Sequence, residues 1–378
     1  MPGAALPHRP AARLRVVHVN TERTWRGGEQ QTLYLAEGLA RRGHECHLVL
    51  QPDSPLHEQA SQAGLACHPI AMRGELDPIA IVHVARLLRR LAPHIVHMHT
   101  SHAHTLGTFA SVLARRGRRI VSRRVDFSIY RHPLSLSGLK YRFGIDRYIA
   151  VSHAVQQALV RDGIPAESID VVWSGIDPAR LAVASGSRPR ADWGIGPDTA
   201  IVGTVAHFGW HKGLEYLVRA APLIARARPD VRIVLVGDGE LRPRIEAERE
   251  AQHAEATVHL AGFRRDAGDC LAAMDVFVMP SVMEGLCTSI LDAFALERPV
   301  VACAVGGIPE IVRDGMTGLL VPPRDPEALA AAVLALLAEP ERARALAANA
   351  KRLVHESFSV DSMVEGNLAV YQKVLDTA

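Results

Sequence analysis

The sequence predicts an α/β protein of two domains, each built on a parallel sheet, with a cleft between the sheets. Three observations carry this. The chain has 378 residues, more than one hydrophobic core usually organises. Short apolar runs alternate with amphipathic helical stretches through both halves, the pattern of βαβ units. Between about residues 182 and 197 the chain turns rich in Ser, Pro, Gly and Arg, as a linker does. The expected domains are 1–185 and 186–360, with a helix over 361–378 packing back toward the first.

In the first half, Arg15 to Val19 reads as a strand, followed by a Gly27-Gly28 loop and a helix from Glu29 to Arg42 that Gly43 closes. Strand His47 to Leu50 and helix Pro55 to Ala63 follow. Pro78 to Leu91 carries Ile81, Ala85, Leu88 and Leu91 at helical spacing. Strand His94 to His99 leads to helix Thr105 to Arg115, then to strands Arg119 to Val125 and Tyr148 to Val151. Helix Ala154 to Arg161 and strand Val171 to Trp173 end the half. The second half predicts strands Ile201 to Val205, Val231 to Val236, Thr257 to Leu260, Asp275 to Met279 and Pro299 to Ala302. Helices Leu214 to Ala227, Leu241 to Gln252 and Ser289 to Leu296 lie between them, and Pro326 to Leu337, Pro340 to His355 and Met363 to Asp376 end the chain. Ligands of open parallel sheets bind beyond the carboxyl ends of the strands, so the site belongs in the cleft.

Composition narrows the function. Hydrophobic residues are 48% and charged residues 22%, which excludes a disordered chain. Five cysteines with no Cys-x-x-Cys pair argue against a disulfide framework or a zinc site and suit a reducing compartment. The longest apolar run, Ala328 to Ala338, falls short of the roughly 20 residues of a membrane helix. No apolar signal core is seen near the start, so a cytoplasmic location is expected. Residues 1–185 hold 23 Lys+Arg against 14 Asp+Glu, net +9, and the remainder is net −6. A basic half suits an anionic partner or the inner face of a membrane; a solvated basic surface serves as well.

Four segments carry chemistry. The strongest runs from Pro280 through Glu284, Gly285, Leu286, Cys287, Thr288 and Ser289 to Asp292, out of an apolar strand and into an apolar helix. Free N–H groups and the dipole of that helix start suit a diphosphate, and Gly285 admits a ligand close to the backbone. Glu284 and Asp292 would accept hydroxyl hydrogen bonds from a sugar or ribose; helix capping by Glu284 and plain exposure of Asp292 are the alternatives. The second segment, His207 to Gly213, puts Lys212 at a strand end as a point charge for an anion. The third, Arg26-Gly27-Gly28-Glu29, permits close approach to a phosphate but lacks the dinucleotide fingerprint, and a tight turn explains it equally. The fourth, His97 to His104, places His97 and His99 on one strand face and His102 and His104 on the next helix. Without a nearby acid, hydrogen bonds to a substrate hydroxyl suit it better than a metal. Gly262-Phe263 after strand Thr257 to Leu260 is placed to hold a base by backbone contacts, and Gly306 to Glu310 after the strand at Val300 to shape a sugar pocket; plain turns explain both as well.

Jointly these motifs resemble the retaining GT-B glycosyltransferases of the GT4-type family, glycosyl transferases group 1. The resemblance rests on Gly27-Gly28-Glu29 (loosely), Lys212-Gly213, Gly237-Asp238-Gly239, Glu284 to Asp292, Gly306 to Glu310, and Asp314-Gly315 with Gly318. It implies a GT-B architecture, two Rossmann-like domains with parallel sheets facing an interdomain cleft, the first for the acceptor and the second for a nucleotide-sugar donor. It implies that Lys212 neutralises the donor diphosphate, Glu284 binds sugar hydroxyls, the backbone from Gly285 to Ser289 holds phosphates and Asp292 binds ribose. It places Gly28 near the phosphates from the other domain and His102 against the donor sugar. The catalytic set is then Lys212, Glu284 and His102. Three departures stand out: His207 replaces the usual arginine, Asp292 replaces a glutamate, and Ser122-Arg123-Arg124-Val125-Asp126 occupies the strand, Ile120 to Val125, on which many members place a histidine that faces the sugar.

The implied reaction moves a sugar from a nucleotide-diphosphate donor to an acceptor hydroxyl with retention. The acceptor would be a glycan, a lipid-linked molecule or a cell-envelope precursor. No metal, no further cofactor and no nucleic acid are expected; the nucleotide sugar is a co-substrate. A sugar-nucleotide epimerase, a phosphorylase, a dinucleotide-dependent oxidoreductase and a silent binding module are the rivals. The basic, aromatic stretch Arg123 to Arg147 is the candidate acceptor contact.

Overall fold

The computed structural model describes residues 13–128, 140–141 and 143–377. The candidate acceptor stretch therefore lies partly outside the described residues.

The first domain contains β1 (Arg15–Val19), α1 (Gly27–Arg41), β2 (Glu45–Leu50), α2 (Pro55–Gln62), β3 (Ala66–Pro69), α3 (Pro78–Leu91), β4 (Ile95–Met98), α4 (Ser101–Ala114), β5 (Arg118–Arg123), β6 (Arg147–Ala150), α5 (His153–Arg161) and β7 (Ile169–Val171). Its seven strands run parallel in the order β3-β2-β1-β4-β5-β6-β7. The helices start where chemistry favours a start: Ser54, Thr100 and Ser152 each accept a first-turn N–H, and Asp77 does so ahead of Pro78.

The expected linker holds a short helix, α6 (Ser187–Asp192). Arg190 pairs with Asp275 at 2.9 Å and Asp192 with Arg264 at 2.8 Å, so the stretch is tied onto the second domain. Its polar composition reflects these surface ion pairs, which a linker reading did not foresee.

The second domain contains β8 (Ile201–Val205), α7 (Leu214–Ala227), β9 (Arg232–Val236), α8 (Arg242–Ala251), β10 (Val258–Gly262), α9 (Ala267–Ala272), β11 (Val276–Met279), α10 (Thr288–Ala295), β12 (Val300–Cys303), α11 (Ile308–Ile311), β13 (Leu319–Val321), α12 (Pro326–Ala338), α13 (Pro340–Ser357) and α14 (Val360–Asp376). Six parallel strands take the order β10-β9-β8-β11-β12-β13. Both central sheets read as near-continuous apolar runs because helices cover both faces.

α14 leaves the second domain and packs on the first. Val360, Met363, Val364, Val370, Tyr371 and Val374 join Leu14, Val16, Tyr34, Leu35 and Ile95 in one buried cluster. Gly38 of α1 permits this approach, since a Cβ there would stand 2.5 Å from Val364.

Candidate active site

Strand order reverses between β1 and β4 in the first sheet and between β8 and β11 in the second. Loops after the strands at such a reversal diverge and leave a crevice. The loop after β1 leads to Gly27 and Gly28, and β4 leads to His99. The loop after β8 carries His207 and Lys212, and the one after β11 carries Glu284. The candidate residues therefore sit at the two reversal points.

Lys212 and Glu284 form an ion pair, and both are largely buried. Ser281 Oγ donates to Glu284 Oε1 at 3.0 Å, which fixes the carboxylate three residues further on. Burial works against the Lys212 charge, but the Glu284 carboxylate outweighs it and holds the ammonium above its ordinary range. Gly213 makes the turn after Lys212: its φ is +60°, and a Cβ would meet Pro280 O at 2.3 Å.

The run from Gly285 to Ser289 starts α10. Cys287 stands at φ 76°, a left-handed conformation that a non-glycine residue adopts at a cost. No side chain among the described residues caps α10; Ile290 N donates to Cys287 O at 3.2 Å, and the N–H groups of Thr288 and Ser289 ahead of it are left for a ligand. Leu286 and Cys287 are buried, and burial pushes the Cys287 thiol up to about 11, so this sulfur is no nucleophile at neutral pH.

Across the cleft stands the start of α1. Glu29 holds the preceding loop by accepting from Arg26 N at 3.0 Å and Asn20 Nδ2 at 3.3 Å. A Cβ on Gly27 would stand 3.2 Å from Thr288 Oγ1. Two helix N-termini, one from each domain, thus converge on one spot, with positive dipole ends facing each other.

The domains meet closely there. A Cβ on Gly285 would lie 2.0 Å from Arg124 O, and one on Gly307 would lie 2.1 Å from Gly285 O and 2.8 Å from Ser152 Cβ. Gly306 to Glu310 had been expected to shape a sugar pocket. Glu310 instead crosses to the first domain, where its carboxylate accepts from His153 N and Ala154 N, each at 3.0 Å, and from Trp173 Nε1 at 2.9 Å. It caps α5 from the opposite domain.

The other candidates are distributed around this centre. Leu291 and Phe294 face the core, and Asp292 Oδ1 lies 3.6 Å from Arg180 Nη2, too far for a hydrogen bond, so it has no donor among the described residues. Burial pushes the Asp292 carboxyl up to about 6, with Arg180 opposing. Tyr34 beside it also has a buried hydroxyl with no partner among the described residues. Phe263 is 66% exposed directly after β10, an open ring at the rim. His207 turns to Glu240, with Nε2 at 2.8 Å from its carboxylate, and is not in contact with the Lys212–Glu284 pair. His102 is exposed on α4 and lies 3.8 Å from Glu75, which Lys140 also holds at 2.8 Å; no contact among the described residues joins His102 to Lys212 or Glu284.

His97 and His99 share a face with His18, their ring nitrogens gathered closely enough for a metal. His97 already spends both nitrogens on Tyr371 and Ser122, at 2.6 and 2.8 Å. Ser281, Glu310 and Arg124 each lie inside a segment that the sequence singles out, but none had been given these partners. Of the three only Ser281 has a local signal for its partner, its spacing of three from Glu284.

Two parallel-sheet Rossmann-like domains facing a cleft define the GT-B class. Its solved members include the Anabaena protein Alr3699/HepE, crystallised with UDP and glucose, which superposes with a TM-score of 0.84 over 96% of this chain and all of that one at 21% identity. Two family models match: Glycosyltransferase Family 4 over residues 25–180, and Glycosyl transferases group 1 over residues 196–339. The chain belongs to this GT4-type, group 1 glycosyltransferase family. It is 35% identical over 248 residues to the alpha-maltose-1-phosphate synthase of Mycolicibacterium smegmatis, a match covering 61% of this chain and 63% of that protein, a little under two thirds. It is 25% identical over 358 residues to the N-acetyl-alpha-D-glucosaminyl L-malate synthase of Bacillus anthracis, covering 90% and 92%.

Proposed function

We propose that the protein transfers a sugar from a nucleotide-diphosphate donor to an acceptor hydroxyl with retained anomeric configuration. The observation that carries this is the convergence of two helix N-termini beside a buried lysine and a fixed carboxylate. Such a spot holds a diphosphate and sugar hydroxyls together. The crystallisation of a structural relative in complex with UDP and glucose agrees with it. As the glycosidic bond breaks, charge grows on the leaving diphosphate, where Lys212 and the α10 amides meet it. Glu284 orients the sugar through its hydroxyls, and the closed interface excludes water that would hydrolyse the donor. Phe263 offers a face to the base and Asp292 accepts from ribose. No divalent cation takes part in this scheme.

The test is a binding and turnover screen of UDP-, GDP- and ADP-sugars, with product configuration read by NMR. One donor class is expected to bind and to give the product anomer of the donor; inversion, or release of free nucleotide without an acceptor, overturns the reading. Asp292 adds a pH signature. Its carboxyl is protonated below about pH 6 in the unliganded protein, and the carboxylate, with a charged acceptor at each oxygen, holds two ribose hydroxyls more strongly than the neutral acid. Nucleotide affinity is therefore expected to rise as pH climbs through about 6, and to lose that rise in Asp292→Asn.

The acceptor is proposed to be membrane-borne. Phe109, Val112 and Leu113 are exposed on α4, and Arg115, Arg116, Arg118 and Arg119 line a cavity of about 580 Å³ at its end. Among the described residues no helix is long and apolar enough to cross a membrane, so contact would be peripheral. Co-sedimentation with phosphatidylglycerol vesicles is expected, and an Arg115→Glu/Arg116→Glu variant should lose it. Equal partition to neutral phosphatidylcholine vesicles would refute an electrostatic attachment.

A further inference from the structure

Among the described residues, Arg124 is a cation without a counter-ion. It follows β5 in the first domain, and its carbonyl abuts Gly285, where the phosphate-holding run of the second domain begins. Its side chain lies along the start of α1: a Cβ on Gly28 would stand 3.5 Å from Arg124 Cδ. Among the described residues, no carboxylate oxygen reaches it at ion-pair distance, although Glu29 is near; both Glu29 oxygens are committed to Asn20 and Arg26. Arg124 Nε is buried with no partner.

Its one side-chain partner is neutral. Arginine has no acceptor, so the 3.3 Å contact of Arg124 Nη2 with His99 makes Nδ1 of that ring the acceptor. The His99 proton then sits on Nε2 and is donated to His18 Nδ1 at 3.0 Å. His18 is left with a buried Nε2–H that has no acceptor among the described residues. Burial, and then neighbouring positive groups, hold His18, His97 and His99 far below their ordinary range, so none of these rings is charged at neutral pH. The relay thus orients the guanidinium and does nothing to neutralise it. A partly buried, oriented cation with a desolvated Nε and no counter-ion among the described residues is stabilised when an anion completes it.

We infer that Arg124 is the second cationic contact for the donor's diphosphate, supplied by the first domain where His207 of the second has turned to Glu240. This rests on the nucleotide-sugar reading. It makes the diphosphate a bridge: Lys212 holds it from one domain and Arg124 from the other. His99 and His18 are then positioning residues for that contact.

The test measures binding of UDP, GDP, ADP and inorganic pyrophosphate, with the matching monophosphates, to wild type and to Arg124→Gln, Arg124→Lys and Lys212→Met. For the diphosphate that wild type binds, Arg124→Gln is expected to weaken binding by about 10- to 100-fold, the loss of a charge-assisted contact. Monophosphate affinity should change by less than about threefold, and Arg124→Lys should recover part of the loss because it restores charge without the forked geometry. Thermal melting identifies a variant that has merely unfolded, and Arg124→Lys then carries the comparison with the monophosphate. If Lys212→Met loses the diphosphate and Arg124→Gln keeps it within twofold, this inference fails alone. If wild type binds no diphosphate, the reading beneath it fails as well.

Discussion

Lys212→Met is expected to reduce kcat/KM for sugar transfer by at least about 10³-fold, the range seen when a main electrostatic stabiliser is removed. The same change should also lower stability, because it strands Glu284 as a buried charge with only Ser281 beside it. Breaking a buried pair from one side costs about 3–5 kcal/mol. The two effects separate in a second variant. Lys212→Met/Glu284→Gln removes both charges, so denaturant midpoints should return most of the way to wild type while turnover stays lost. Wild-type turnover in either single variant would remove Lys212 and Glu284 from the proposed chemistry. Recovery of activity together with stability would mean that the pair serves the fold alone.

Gly285→Ala should cost about 10²-fold in kcat, the penalty of displacing a catalytic arrangement by about 1 Å. An added methyl would sit 2.0 Å from the Arg124 carbonyl, and neither backbone has a flexible end to yield. The contact lies between domains, so relief comes by holding them apart. Melting temperature should therefore move little, and donor binding to the second domain should persist. Small-angle scattering with a bound nucleotide sugar should show a larger radius than for wild type. Normal turnover in this variant would show that the interface described here is not the one in which transfer occurs.

Much of this was legible locally. The apolar runs of β1, β4, β8 and β11 and the polar turns after them name the strands at the reversal points, and Lys212, Glu284 and Gly285 follow from what stands at their ends. The misses have physical causes. β3 and β13 are short edge strands whose side chains are mostly not buried, so neither reads as an apolar run, and β7, also at an edge, begins two residues before the strand expected at Val171. Arg124 gives no hint in its own neighbourhood, because its meaning comes from Gly285 and Gly28, far along the chain in both directions. Glu310 reads as part of a turn until α5 is seen to need a cap. His207 reads as a weak substitute for arginine until Glu240 appears beside it. Sequence patterns record a residue's own strand or helix; what two domains do to each other is written only in their approach.

The return of α14 to the first domain bears on how the protein is made. The first domain's sheet is complete by residue 171, yet the face that Tyr371, Val364 and Met363 cover waits for almost the last residues of the chain. During synthesis that face stays open while the whole second domain emerges. A ribosome stalled before α14, or a message clipped ahead of it, leaves an early domain with an apolar side bare and His97 without its tyrosine, a species suited to chaperones and proteases. Quality control therefore falls on the arrival of α14, and expression of the first domain by itself should yield aggregate unless α14 is supplied.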